Sequence, residues 1–294
     1  MTSSPQYPVH NSIEVNFARN AEELARLGVD EIVPGKLYAL GGMVKLDGRV
    51  SWAPSNATGY QPINCYVLLE DAAAMIVDPG PALHEALVVR QLRALLPKEC
   101  EVQVFLTRSE FDCVGNLGGI ALAFPIKQLF TSGSRNPFDS FEYATLGPAL
   151  RGSRVKLERQ PAGFQIPIAA SRTFEIVVTQ LRLLTTFWGY DSLTKTLFTS
   201  DAFSDATVEG AGHARVIDST VVDNTTEQTA RDHLHAKFWW LEHTDKKDQI
   251  RRNLREIFER HHVEVIAPGH GCVLRGESIV AEHYKRMLDV LGEG

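Results

Sequence analysis

The stretch "VFLTRSEFDCVGNLGG", residues 104–119, decides the reading of this chain. An apolar run stops at Thr107. Two acids follow one residue apart, Glu110 and Asp112, and then come Cys113 and a group of glycines. An apolar run that ends in polar residues predicts a buried strand delivering side chains to a loop, and loops carry function more often than the strands that present them. Three other segments end the same way. "MIVDPG" (75–80) carries Asp78, "LFTSD" (197–201) ends on Asp201, and "VIAPGH" (265–270) ends on His270. Four such loops meeting at one edge would gather Glu110, Asp112, Cys113, Asp201 and His270. That mixture of carboxylate, thiolate and imidazole suits zinc or iron.

Outward from the motif, strands and helices alternate in two halves. "INCYVLLEDAAAMIVDPG" (63–80) predicts a strand pair turning at Glu70–Ala72. "ALHEALVVRQLRALLP" (82–97) has helical spacing at Leu83, Leu87, Val88, Leu92 and Leu95, with a stop at Pro97. "KLYAL" (36–40) and "MVKLDGRVSW" (43–52) read as strands, the second folded at the hairpin dipeptide Asp47–Gly48. "FEIVVTQLRLLTT" (174–186) and "KTLFTSD" (195–201) read as strands separated by a break at "FWGYDS" (187–192). Residues 222–262 read as mostly helical, with Ile250, Leu254, Ile257 and Phe258 on one face, and "SIVAEHYKRMLDVL" (278–291) as a closing helix. Residues 1–30 are expected to be a polar arm and short helix, and residues 31–294 one domain. Two sheets packed face to face with helices outside would accommodate this order.

Composition narrows the function. The chain has 294 residues, a net charge of -6 and a pI near 5.9. It lacks the basic footprint of a nucleic-acid binder, and "KKDQIRR" (246–252) sits among acids as a solvated helix face. Cys65, Cys100, Cys113 and Cys272 form no CxxC pair, and the first residues show no secretory pattern. Free thiols in the cytoplasm are therefore expected. No run approaches the roughly 18–20 apolar residues that span a bilayer.

These segments together resemble the metallo-β-lactamase superfamily, and most closely its oxygen-binding di-iron branch. "LTRSEFDCVGNLGG" sits where that superfamily has T-H-x-[HE]-x-D-H-x-G-[GN]. "LTTFWGYDS" resembles a di-iron-branch segment of the form P-M-x-H-W-P-D-S. "LFTSDAFS" and "APGHG" resemble the segments that bring a bridging aspartate and a last histidine. The resemblance implies a four-layer αββα sandwich of the α/β class with a two-metal site. It also implies that Asp78 orients neighbouring ligands, although an acid before Pro-Gly is equally a turn former.

The ligand positions depart from that pattern. Arg108 and Phe187 stand where the resemblance implies histidines of the first metal position, and Cys113 where it implies one of the second. Glu110, Asp112, Asp201 and His270 remain. Guanidinium stays protonated and donates no lone pair, so the first position keeps only Glu110 and Asp201. Arg108 would instead place a fixed charge among the acids. Asp112, Cys113, Asp201 and His270 could hold one zinc or iron, or Cys113 could be a small apolar filler. Phe111, Phe187 and Trp188 either line a cavity suited to an aromatic ligand or belong to the core. His233 and His235, two residues apart in a helix, do not face one another. Trp239 and Trp240 line a pocket, bury a subunit contact or pack in the core.

Four functions are compatible with these residues. The first is a subunit of a heteromeric hydrolase of aryl ethers or esters, paired with an intact paralogue or self-associated, acting on a small molecule. The second is a hydrolase with one metal, in which Arg108 and Asp201 serve catalysis. The third is an oxygen- or nitric-oxide-binding relative of the di-iron branch. The fourth is an anion-binding module built on Arg108. Without a flavodoxin-like extension, flavin-fed chemistry of the full-length di-iron kind is not expected of this chain by itself.

Overall fold

A computed structural model describes residues 21–132, 137–138 and 154–292. The polar arm expected over residues 1–15 lies outside them. The first sheet runs in chain order: β1 (Asp30–Val33), β2 (Leu37–Lys45), β3 (Tyr60–Glu70), β4 (Ala73–Val77), β5 (Glu101–Phe105), β6 (Ile126–Thr131) and β7 (Arg154–Lys156). It is antiparallel through β4 and parallel from there to β7.

The second sheet contains β8 (Gln165–Ala169), β9 (Arg172–Val178), β10 (Phe187–Asp191), β11 (Thr196–Ser200), β12 (Val216–Ile217), β13 (Val265–Pro268) and β14 (Val273–Arg275). Its spatial order is β12-β14-β13-β11-β10-β9-β8. Strands β11 and β13 pair in parallel, so their C-terminal ends, and the loops after them, open on the same edge.

Helices cover both outer faces. On the first sheet lie α1 (Ala21–Arg26), α2 (Glu85–Leu95), the one-turn α3 (Phe111–Val114) and α4 (Leu117–Ala123). On the second lie α5 (Glu227–Lys237), α6 (Lys247–Arg260) and α7 (Glu277–Gly292). Three apolar layers follow. Val88, Leu92 and Leu95 of α2 pack on Val67, Ile76 and Val104 of the first sheet. Leu254 and Ile257 of α6 pack with Leu197 and Ile266 of the second. Phe105, Phe174 and Phe198 fill the space between the sheets. The chain is a four-layer αββα sandwich. Strands β11 and β13 are buried throughout because both their faces are covered, which is why they read as unbroken apolar runs. Among the described residues no helix is long and apolar enough to cross a membrane.

Two local expectations fail for reasons of pairing. Residues 43–52 form no hairpin. Strand β2 ends at Lys45, which pairs directly with Tyr60 of β3, and the chain between them loops outward carrying Trp52. "FWGYDS" is no break, because Phe187–Asp191 is the interior strand β10, paired with both β9 and β11; the break falls instead at residues 179–186, expected as part of the preceding strand, which ends at Val178.

Candidate functional site

The four predicted loops do meet. Asp78 follows β4, Thr107 to Asp112 follow β5, Asp201 follows β11 and His270 follows β13. The backbone turns sharply at two of these ends, where Asp78 and Ser200 both adopt the left-handed region, with φ of +50° and +55°. Non-glycine residues there are strained and are held in place by their surroundings. Asp78 accepts from the Thr107 backbone N–H at 2.8 Å and from its hydroxyl at 2.6 Å, and Thr107 Oγ1 meets Ser200 Oγ at 2.8 Å. Asp78 therefore pins the start of the motif loop. The His270 loop is pinned from β3. Asn64 Nδ2 donates to the carbonyls of Pro268 and Gly271, and the Tyr66 hydroxyl donates to Pro268.

Arg108 lies at the centre, 1% exposed. Its Nε donates to Glu110 Oε2 at 2.7 Å, its Nη1 to Ser200 Oγ at 2.8 Å, and its Nη2 both to Asp112 Oδ2 and, at 2.9 Å, to Asp201 Oδ1. One guanidinium thus gathers three carboxylates. Gly269 lets the neighbouring loop come this close, since a Cβ there would stand 3.6 Å from Arg108 Nη1 and 3.2 Å from the Ser200 carbonyl.

A second cation enters from the other side. Lys237, the last residue of α5, is buried and places Nζ 2.8 Å from Asp201 Oδ1 and 2.6 Å from His270 Nδ1. His270 Nε2 lies 2.7 Å from Asp112 Oδ2. With Lys237 donating to Nδ1, the imidazole proton sits on Nε2 and is donated to Asp112. Trp52 stacks on His270, ring centroids 4.7 Å apart, and Trp52 Nε1 donates to Gln61. Neither Lys237 nor Trp52 figured in the sequence expectations. The signal for Lys237 was its spacing, because Ala230, Leu234 and Lys237 recur at helical intervals on the buried face of α5.

The charges in this cluster shape one another. Burial alone would raise the Asp112 and Asp201 carboxyls, but Arg108 overcomes it and holds both below the usual carboxylate range, aided by His270 and Lys237. Burial and the Lys237 charge lower His270 to about 4, against the pull of Asp112, which leaves it neutral near pH 7. Burial also lowers Lys237, with Asp201 opposing. Asp78, away from solvent, is raised to about 6 by burial, with Arg108 opposing. Burial raises Glu110 as well, against Arg108.

A two-metal centre does not fit these residues. The first position would need donors from 108 and 187, and Arg108 supplies a cation instead. At the second, Asp112, Asp201 and His270 each offer one donor atom, all within 4.8 Å of one another, and so form a candidate metal-ligand group. Yet Asp201 Oδ1 already accepts from both Arg108 and Lys237, Asp112 Oδ2 from Arg108 and His270, and His270 Nδ1 from Lys237. Two organic cations are thus bound to the groups that could serve as metal ligands.

Three predicted site residues are placed elsewhere. Cys113 is buried and lies outside that donor group. The turn of α3 directs it inward, its backbone carbonyl accepts from Gly80, and burial pushes its thiol well above the usual range. Phe187 donates its backbone N–H to the Thr107 carbonyl, so it does adjoin the motif. Its ring, however, belongs to the layer between the sheets, and Trp188, on the opposite face of β10, belongs to the layer under α5 to α7. Neither lines the cavity. Phe111 does, and it is 88% exposed.

The cavity beside the cluster holds about 520 Å³. Its floor carries Glu110, Asp112, Asp201 and Lys237, and its walls carry Trp52, Phe111, Leu183 and Trp239.

No family model and no curated protein sequence matches the chain. Solved structures do. Rubredoxin oxygen:oxidoreductase from Desulfovibrio gigas superposes with a TM-score of 0.65 at 15% identity, covering 89% of this chain and 61% of that one. The flavodiiron protein of Giardia intestinalis gives 0.60 at 16%, covering 88% and 58%. The fold is that of the flavodiiron core, which is metallo-β-lactamase-like. A metal-soaked Flv1 flavodiiron core from Synechocystis gives 0.60 at 15%, covering 90% of this chain and 60% of that one. The chain spans about three fifths of the length of these flavodiiron structures.

Proposed function

We propose that this chain is a metal-independent, ligand-binding member of the metallo-β-lactamase-like fold, acting as one subunit of a heteromeric hydrolase. An intact paralogue would supply the metal-activated water, and the reaction class would be aryl ether or ester hydrolysis. One observation carries this reading: Arg108 and Lys237 engage one oxygen each of Asp112 and Asp201 and the Nδ1 of His270, the groups a metal would use, while the cavity above them stays open. A fold that had merely lost its ligands would leave Glu110, Asp112 and Asp201 uncompensated, at several kcal/mol of desolvation for each buried charge. The di-iron reading lacks its histidines, and the anion-binding reading lacks a free guanidinium.

The test is elemental analysis and native mass of the chain alone and co-expressed with its genomic neighbour. The reading expects no stoichiometric metal in the chain alone and a fixed-ratio complex with a protein carrying H-x-[HE]-x-D-H, active only together. A chain that hydrolyses aryl esters alone with one bound metal would overturn it. That outcome defines the second reading, favoured by the proximity of Asp112, Asp201 and His270. Those three would then hold one zinc or iron after Lys237 withdrew.

A further inference from the structure

The cavity has a charge that the presence of two cations conceals. Arg108 and Lys237 oppose Glu110, Asp112 and Asp201, so three carboxylates exceed two cations by one negative charge. Exposure is unequal as well. The Glu110 side chain is 33% exposed and that of Asp112 14%, whereas Arg108 and Lys237 are 1% and 5%. Arg108 lies beneath the floor, Lys237 reaches it only as a 5% exposed ammonium already engaged by Asp201 and His270, and Glu110 and Asp112 are the more exposed charges. The walls are aromatic. Trp52 and Phe111 line the cavity, and Trp239, 61% exposed, completes the rim. Its volume lies in the range of small-molecule pockets, where a few placed polar groups set orientation among apolar walls.

From this juxtaposition we infer that the cavity binds a small aromatic cation, its ring against Trp52, Phe111 and Trp239 and its positive head toward Glu110 and Asp112. Aromatic faces attract a cation through the ring quadrupole, and a cleft lined by one sign of charge concentrates the opposite sign. An aromatic carboxylate would meet the same walls but an unfavourable floor, because the Arg108 donors are already engaged by Glu110, Asp112, Asp201 and Ser200. The inference gives a ligand class to the binding role proposed above. It concerns the chain by itself, so a missing partner would leave it standing.

The experiment titrates the purified chain with three probes of similar size: benzyltrimethylammonium, benzyl alcohol and phenylacetate. Isothermal calorimetry reads binding, with tryptophan fluorescence as a second readout. The expected result is binding of benzyltrimethylammonium at least tenfold tighter than of phenylacetate, with benzyl alcohol between. Glu110→Gln should weaken the cation about fivefold and leave benzyl alcohol unchanged, and Trp239→Ala should weaken all three. Salt provides a check on the unaltered protein: raising it should weaken the cation and not the alcohol. Phenylacetate binding as tightly as the cation, no salt effect, or no binding of any probe up to its solubility limit would each overturn the inference.

Discussion

Two of the arginines buried in this protein, Arg172 and Arg108, do different work. Arg172 of β9 forms a closed pair with Asp191, Nε to Oδ1 at 3.0 Å and Nη2 to Oδ2 at 2.8 Å, and its Nη1 reaches the carbonyls of Leu69 and Lys36 across the sandwich. Asp191 is fully buried and also accepts from the Thr194 N–H. Glu70 Oε2 lies 3.6 Å from Arg172 Nη1 and is itself held by Lys36 at 2.7 Å, so two carboxylates meet two cations, a backbone is clipped to a backbone, and none of these groups lines the cavity beside Arg108. Arg108 instead meets three carboxylates, needs help from Lys237, and adjoins a cavity. A balanced bidentate pair explains itself as fixing one sheet against the other. An unbalanced set beside an opening does not, and its excess of acid is what a structural role alone would have removed.

The largest expected effect comes from removing either arginine. Breaking a buried ion pair by deleting one partner costs about 3–5 kcal/mol, because the remaining charge is stranded. Arg172→Met and Arg108→Met should each lose about that much in urea unfolding with chelator present. The comparison sharpens when zinc is added. Arg108→Met leaves three acids and a histidine around a vacated position, and zinc should restore part of its stability. Arg172→Met leaves Asp191 without its cation and Glu70 still held by Lys36, with no histidine beside them, and zinc should do nothing for it. Equal rescue of both, or of neither, would erase the distinction.

A smaller effect is expected at Lys237, where truncation removes the ammonium from Asp201 Oδ1 and His270 Nδ1 and leaves both beside Asp112. Lys237→Ala should bind one zinc, measured by calorimetry and elemental analysis. At a hundredfold excess over its Kd, zinc would stabilise the variant by about 2.7 kcal/mol. Asp112→Asn in the same background should abolish binding, and the unaltered chain should show none. Tight stoichiometric zinc in the unaltered chain would mean that Lys237 does not block the position.

How much of this was legible follows from which interactions are local. Each strand that ends at the site announces itself by an apolar run stopping at a polar residue, because burial on both faces demands the run and the loop permits the change. Asp78, Arg108, Glu110, Asp112, Asp201 and His270 were readable for that reason, as was Arg108 as an internal cation. Lys237 was hidden by distance, 36 residues beyond Asp201 and on the buried face of a helix with no apolar run ending beside it. Trp52 was hidden by Asp47–Gly48, a hairpin signal overridden when β2 found β3 as its partner. Phe187 and Trp188 alternate across β10, so their spacing allowed a cavity or a core, and only the packing of the second sheet decides for the core.

The smallest effect is one of pH, and it separates the two sides of the cluster. His270 ordinarily titrates near 6.5 and is lowered to about 4 in the fold, so between these values the unfolded chain holds the extra proton. Stability should therefore rise with pH across that window. Asp78 works the other way. Raised to about 6 from an ordinary value near 4, it keeps a proton in the fold that the unfolded chain has released, so its contribution falls as pH rises through the same range. These two contributions oppose each other over the same range. Asp78→Asn retains an acceptor for the Thr107 N–H but removes the opposing titration. It should unmask a rise in stability on the order of 1–3 kcal/mol over that window. His270→Gln should do the reverse, losing stability as pH rises. Identical pH profiles for the two variants in urea unfolding would mean that His270 is not held neutral by burial and Lys237, and that the second cation does not occupy the position assigned to it.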